Sequence, residues 1–160
     1  MITLNQMMAD AVATLRKHDA LVSAFRGDGF MAIFRGQQHA ARAVSAALDL
    51  CHDTEEYNEP RLILGLPPFA IRVGVSTGEA VLGNMGTYDL MDYTAIGTTV
   101  NLGARLEGSA EPGFPCISRR TYDEVRGRFL YRTDRPRSIL LKGLEELGEQ
   151  PVWDVTGPAP

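Results

Sequence analysis

Apolar residues at Leu4, Met7, Met8, Ala11, Val12 and Leu15 recur at steps of three and four, so Thr3 to Lys17 is predicted to be a helix with one buried face. His18-Asp19 interrupts that rhythm. Two short apolar runs, Ala20–Phe25 and Phe30–Phe34, flank Arg26-Gly27-Asp28-Gly29, which is the pattern of a β-hairpin. Helical spacing returns from Gln37 to His52, where Ala40, Ala43, Val44, Ala47, Leu48 and Cys51 share a face and alanine favours the helix. Thr54 to Pro68 is polar and then punctuated by proline and glycine, so a loop is expected there.

Phe69 to Thr77 alternates like a strand, and Ala80–Gly83 resumes an extended run after Gly78-Glu79. Gly83–Thr87 reads as a turn or a protruding loop before Asp92–Ile96. Gly97-Thr98-Thr99 offers a hydroxyl N-cap for a helix from Val100 to about Ser109. Cys116–Ser118 is expected to be a short strand, Arg119–Val125 a short helix, and Phe129–Arg132 with Ser138–Leu141 a late hairpin. Val152–Val155 closes the pattern, with Trp153 packed in that strand and Thr156–Pro160 as a loose tail. Strands and helices alternate irregularly, and no repeat or internal linker divides them. That favours an α+β fold, helices on a mostly antiparallel sheet, over a doubly wound parallel one.

Composition narrows the function classes. The 160 residues make one domain with room for a real core. Sixteen Lys and Arg against twenty Asp and Glu give a net charge of −4, the wrong sign for a nucleic-acid footprint. Cys51 and Cys116 are far apart and form no CxxC pair, which points to a reducing compartment without disulfides. His18, His39 and His52 lack metal-ligand spacing. No apolar run approaches the ~20 residues of a membrane span, and the first residues do not resemble a signal peptide. A cytoplasmic location is the expectation.

Three features could carry chemistry. Gly27-Asp28-Gly29 is an ordinary turn, but it also sets a carboxylate where an oxygen ligand could hold Mg²⁺ together with phosphates. Asn101 and Arg105 lie four apart and share one helix face. They are either a solvated stripe or an amide and a guanidinium aimed at a charged phosphoryl transition state. Lys142, before Gly143, is a surface lysine or a point charge for a terminal phosphate.

In chain order the blocks are FRGDGFMAIF (Phe25–Phe34), IRVGVSTGEAVLGNMG (Ile71–Gly86), DYTAIGTTVNLGARLE (Asp92–Glu107) and LLKG (Leu140–Gly143). This series resembles the catalytic domain of the class III nucleotidyl cyclases, the adenylate and guanylate cyclase family, from about Leu4 to Val155. The third block is its most specific part. The resemblance implies a ferredoxin-like cyclase fold over residues 1–155 and the reaction that turns ATP into cyclic AMP and pyrophosphate with Mg²⁺ or Mn²⁺. It gives Asp28 the role of second metal aspartate, Thr94 that of purine reader, and Asn101 that of ribose orienter. It gives Arg105 the α-phosphate and Lys142 the terminal phosphates. Thr94 resembles the threonine subgroup of bacterial adenylate cyclases. The family builds its site between two chains, so a head-to-tail homodimer, or a complementing cyclase domain, is the expected partner. Asn84–Tyr93 would be the arm that reaches across.

Two departures go with the resemblance. The family's first metal aspartate lies on an opening strand some forty residues before the second, and only 27 residues precede Asp28 here. That strand and ligand are expected to be missing, either because the sequence starts late or because the module has degenerated into a nucleotide-binding or dimerisation unit. One carboxylate is expected to hold a metal weakly. The family's base-contacting lysine falls at Ala24, which leaves guanylate cyclase activity as an alternative.

Overall fold

The computed structural model describes residues 3–87 and 90–160; the side chains of residues 24–26, 85, 87 and 90–92 also lie outside the described set. Helix α1 (Leu4–Lys17) begins where Thr3 Oγ1 accepts the Gln6 amide, 3.3 Å away. Strands β1 (Leu21–Arg26) and β2 (Gly29–Ile33) form the expected antiparallel hairpin, with a bulge between Ser23 and Phe25. Helix α2 follows, then strand β3 (Gly74–Val75), and then the ribbon β4 (Val81–Thr87) and β5 (Leu90–Ile96). Helix α3 (Thr98–Ser109) leads to β6 (Cys116–Ser118), α4 (Arg119–Val125), β7 (Phe129–Tyr131) and β8 (Arg137–Leu140). A 3₁₀ turn (Glu145–Leu147) and β9 (Glu149–Pro158) complete the chain.

Helix α2 runs from His39 to Ile63 and so absorbs most of the stretch expected to be a loop. Its second half is polar because it faces outward, and long-range bonds hold it. Thr14 donates to Asp53 and Tyr57 to Asp10, both at 2.7 Å, which ties α1 to α2. Asn58 exchanges two hydrogen bonds with the Phe69 backbone. Pro60 sits in the last turn, where its lost N–H costs one helical bond near an end.

The main sheet runs β3-β6-β9-β7, with β8 also on β9. β3 and β6 are parallel; every other pair is antiparallel. The late strands do not make a hairpin with each other. β8 pairs with Glu149–Val152 and β7 with Val155–Pro158, so the long β9 separates them. β9 also takes in Thr156–Pro158 of the tail, and Ala159 N–H donates to the Arg128 carbonyl. Of the strand expected over Phe69–Thr77, Gly74 and Val75 form strand β3, paired with β6, and the Val73 carbonyl also accepts the Cys116 N–H at 2.9 Å.

Side chains alternate across this sheet. Val75, Ile117, Trp153 and Val155 meet α2 (Ala40, Val44, Ala47), α4 (Val125) and Phe129 on one face. Trp153 stacks on Tyr122 at 4.0 Å. Cys116 and Val152 meet Leu106 and Ala110 of α3 on the other face. The β1–β2 hairpin packs separately, Val22, Phe30 and Ala32 lying on Leu15, Ala46 and Leu50 of the first two helices. Each fully buried aliphatic side chain contributes about 2 kcal/mol. The α+β expectation therefore holds, with α3 alone on the face that matters for the site.

Candidate active site

Helix α3 starts at Gly97 with no side-chain cap. Thr99, expected to contribute a capping hydroxyl, instead donates to the Glu79 carbonyl at 2.7 Å, while Ser76 donates to the Thr99 carbonyl at 2.6 Å. These bonds fasten the start of α3 to the β3–β4 connection. The body of the helix is fixed by a closer approach. A Cβ on Gly74 would lie 2.3 Å from the Glu107 amide nitrogen and 2.5 Å from the Gly103 carbonyl oxygen. Only glycine lets the helix backbone rest on the strand at that distance. Gly103 mirrors it, with space for a Cβ only 2.9 Å from Ser76 Oγ. The sequence carried a signal for this contact, a glycine inside the strand pattern Val73-Gly74-Val75, that periodicity alone passes over.

Thus seated, α3 presents Asn101 and Arg105 to solvent while Leu106 is fully buried. The Arg105 guanidinium reaches the turn after β8: Nη2 would be 3.2 Å from a Cβ on Gly143, and Cζ 3.8 Å. Gly143 has φ +79°, a left-handed conformation that exposes its backbone to the guanidinium. Lys142, next in sequence, is exposed at the same turn. Arg105 and the turn that carries Lys142, from distant parts of the chain, therefore come together. Both ends of that arrangement are clamped by Arg137 on β8, which makes two bonds to Asp154 at 2.6 and 2.8 Å and a third to the carbonyl of Ser109, the last residue of α3, at 3.0 Å.

Glu145 accepts the Gly143 N–H at 2.8 Å. That bond, its own backbone N–H and the nearby Arg105 charge hold its carboxyl below the usual glutamate range. Among the described residues, Asn101, Arg105, Lys142 and Thr94 make no side-chain hydrogen bond or ion pair. Arg42, Arg61, Arg119, Arg132 and Arg137 are all engaged.

Thr94 lies on β5 opposite Gly83, beside the exposed Tyr93. The stretch Asn84–Tyr93, read in part as a turn, belongs largely to the two ribbon strands, and the Met85, Leu90 and Met91 side chains of the expected arm lie outside the described residues. So does the side chain of Ala24. Asp28 is exposed at the hairpin tip. Its hairpin is tied to β5 by Ser23, whose hydroxyl donates to the Tyr93 carbonyl at 2.9 Å. The structure thus brings Arg105, one turn from Asn101, to the turn that carries Lys142, and sets Asp28 on a separate element. Two clefts lie away from that cluster. One, about 270 Å³, is walled by Leu102, Leu106, Ser118 and Arg119. The other, about 390 Å³, opens at the root of the ribbon between Val81 and Ile96.

The resemblance implies a divalent metal ion. The described residues contain no group of three His, Cys, Asp or Glu side chains able to hold one. Asp28 is a single carboxylate and by itself does not make a metal centre. No described helix is long and apolar enough to cross a membrane.

Comparison with known proteins gives this geometry a family. Residues 1–153 match the adenylate and guanylate cyclase catalytic domain. Adenylate cyclase 1 of Rhizobium meliloti (strain 1021) is 38% identical over 95 residues, which is 57% of this chain and 14% of that protein. The chain spans only 14% to 26% of the length of the curated relatives it matches. The guanylyl cyclase Cya2 superposes with a TM-score of 0.87 at 29% identity, covering 98% of this chain and 79% of its own. The adenylyl cyclase CyaB from P. aeruginosa gives 0.84 at 28% identity, with 96% and 80% covered. With nearly its whole length matched in sequence and in fold, the chain belongs to the adenylate and guanylate cyclase catalytic-domain family.

Proposed function

We propose that this domain is an adenylate cyclase that converts ATP into 3′,5′-cyclic AMP and pyrophosphate for intracellular signalling. The observation that carries this reading is the meeting of Arg105 with the Lys142–Gly143 turn, two cations that make no side-chain hydrogen bond or salt bridge among the described residues, where a polyphosphate would lie. The substrate's 3′-oxygen attacks the α-phosphorus; the bond from that phosphorus to the bridging oxygen breaks; pyrophosphate leaves, and the 3′-hydroxyl proton passes to solvent. Charge builds on the phosphoryl oxygens as this happens. A guanidinium held in place supplies stabilisation there without reorganising. Lys142 takes the terminal phosphates as a point charge. Asn101, one turn before Arg105 on the same face, orients the ribose. Thr94 reads the purine. Adenine is favoured by the threonine at that position and by the adenylate cyclase among the relatives at 38% identity.

A head-to-tail homodimer with Asp28 and Arg105 contributed by different chains completes the proposal. Its support is the ribbon, which exposes Val81, Tyr93 and Ile96. The test is product formation from ATP and from GTP with Mn²⁺, for the native chain, Arg105→Ala, Asp28→Ala and an equal mixture of the two variants. Native activity on ATP, at least 100-fold lower in Arg105→Ala, is expected. Recovery to about a quarter of native activity on mixing is expected if each site draws on both chains. Preference for GTP would replace adenylate by guanylate cyclase. No cyclic product from the native chain at high concentration would overturn catalysis by this form.

A further inference from the structure

The Lys142–Gly143 turn has a carboxylate already in place. Glu145 Oε1 accepts the Gly143 N–H at 2.8 Å, and Gly143 is the residue against which the Arg105 guanidinium lies. A phosphate held by Lys142 and Arg105 would compete for that same N–H, because the amide has one hydrogen to donate. It would also meet a like charge, whose repulsion is costly at contact distance. We propose that Glu145 is a resident counter-anion of the phosphate end of the site, occupying the Gly143 amide and facing Arg105 until an incoming polyphosphate displaces it. The inference rests on the nucleotide reading above and goes further, naming a residue that sets how tightly the phosphates are held.

The surroundings agree. Glu145 is solvent-exposed and starts the three-residue 3₁₀ turn Glu145–Leu147, so its side chain can swing away without unpacking anything. No salt bridge joins Arg105 to a carboxylate among the described residues, so the Gly143 amide is where Glu145 is anchored. The lowered Glu145 carboxyl keeps it ionised at neutral pH, so the competition is between two anions. A neutral acceptor of the same shape would leave the turn intact and remove only the charge.

Glu145→Gln makes that separation, since its amide oxygen can still accept from Gly143. The readout is calorimetric binding of 3′-deoxy-ATP, which cannot cyclise, and of inorganic pyrophosphate, to the full chain at low salt and in 0.5 M KCl. At low salt Glu145→Gln is expected to bind both ligands about two- to fivefold more tightly than native, the scale of an exposed charge interaction. The difference should close in 0.5 M KCl, where the Debye length falls below roughly 5 Å. Glu145→Ala, which also removes the brace on the turn, should gain less. Unchanged or weaker binding of both ligands by Glu145→Gln overturns the inference. So does a gain that persists in high salt, because that change would be structural. Tighter pyrophosphate with no nucleotide bound by either chain keeps the counter-anion and discards the nucleotide reading. Tighter 3′-deoxy-ATP in a chain that makes no cyclic product keeps it and discards only the turnover.

Discussion

Replacing Gly74 by alanine puts a methyl carbon 2.3 Å from the Glu107 amide nitrogen, 2.5 Å from the Gly103 carbonyl oxygen and 2.8 Å from the Leu106 carbonyl carbon. All three are helix backbone, so no side chain can rotate aside. Ordinary contact begins near 3.4 Å, and α3 must therefore retreat by about 1 Å from β3. The retreat loosens Leu106 and Ala110 against Cys116 and Val152 and strains the Ser76 and Thr99 bonds. A stability loss of about 3 kcal/mol follows, at the upper end for an overpacked site. For a domain of this size that is roughly 6–12 °C in Tm. Arg105 and Asn101 move with the helix, and a displacement of about 1 Å at the reacting groups costs on the order of 100-fold in rate. Gly108→Ala, on the same helix with nothing within 4 Å of its would-be Cβ, is the control and should gain about 0.5–1 kcal/mol. Thermal unfolding and cyclase assays on both variants decide the matter. A Gly74→Ala chain as stable as native, or as active as Gly108→Ala, would refute the close-contact reasoning.

The Arg137 clamp makes a second prediction. Asp154→Ala removes a carboxylate that is only 8% exposed and leaves the Arg137 guanidinium without its partner, and urea unfolding should show a loss of about 2 kcal/mol, reduced from the fully buried case because Arg137 is partly solvated. The two thiols make a third. Burial, helped by the Glu55 charge at Cys51, pushes both up to about 12 from an ordinary 9.0; at Cys116 the Arg137 charge opposes burial without reversing it. Native protein should therefore resist alkylation at pH 8 and label fully in urea. Because the folded values are raised, the linked stability is complete below 9.0 and is lost as pH rises from there to about 12, roughly 1 kcal/mol per thiol by pH 10. Rapid labelling of the folded chain at pH 8 would contradict the burial.

What could be read from the sequence was local. The 3.6-residue rhythm of Leu4–Leu15 and the Gly-Asp-Gly turn each involve neighbours, and α1 and the β1–β2 hairpin came out within a residue or two. Helix α2 beyond His52 did not, because what holds it is remote: Asp10 for Tyr57 and the Phe69 backbone for Asn58. The pairing of β7 and β8 failed for the same reason. Two nearby strands suggest a hairpin, and nothing local announces that a ten-residue β9 will serve both. At the site, the spacing of Asn101 and Arg105 was legible because a helix fixes it. The meeting of Arg105 with the Lys142–Gly143 turn was legible only through resemblance, the close contact at Gly74 only as a glycine inside a strand pattern, and the role of Glu145 not at all, since each depends on which backbone comes to rest on which.

The two ends of the site are held by different means. Arg105 and Lys142 are joined through the sheet: α3 rests on β3 at Gly74, β3 pairs with β6, β6 with β9, β9 with β8, and Arg137 closes the ring from β8 to Ser109. Asp28 is outside that ring. Among the described residues its hairpin shares no ladder bonds with the main sheet; it packs on α1 and α2, and the Ser23 hydroxyl donates to the Tyr93 carbonyl. A catalytic centre that needed Asp28 and Arg105 at a fixed distance within one chain would have to hold that distance without a shared sheet. A centre assembled from two chains has no such need, because each chain then supplies a rigid phosphate end to one site and a carboxylate to the other. This division accords with the proposed shared site, and the mixing of Asp28→Ala with Arg105→Ala tests it directly.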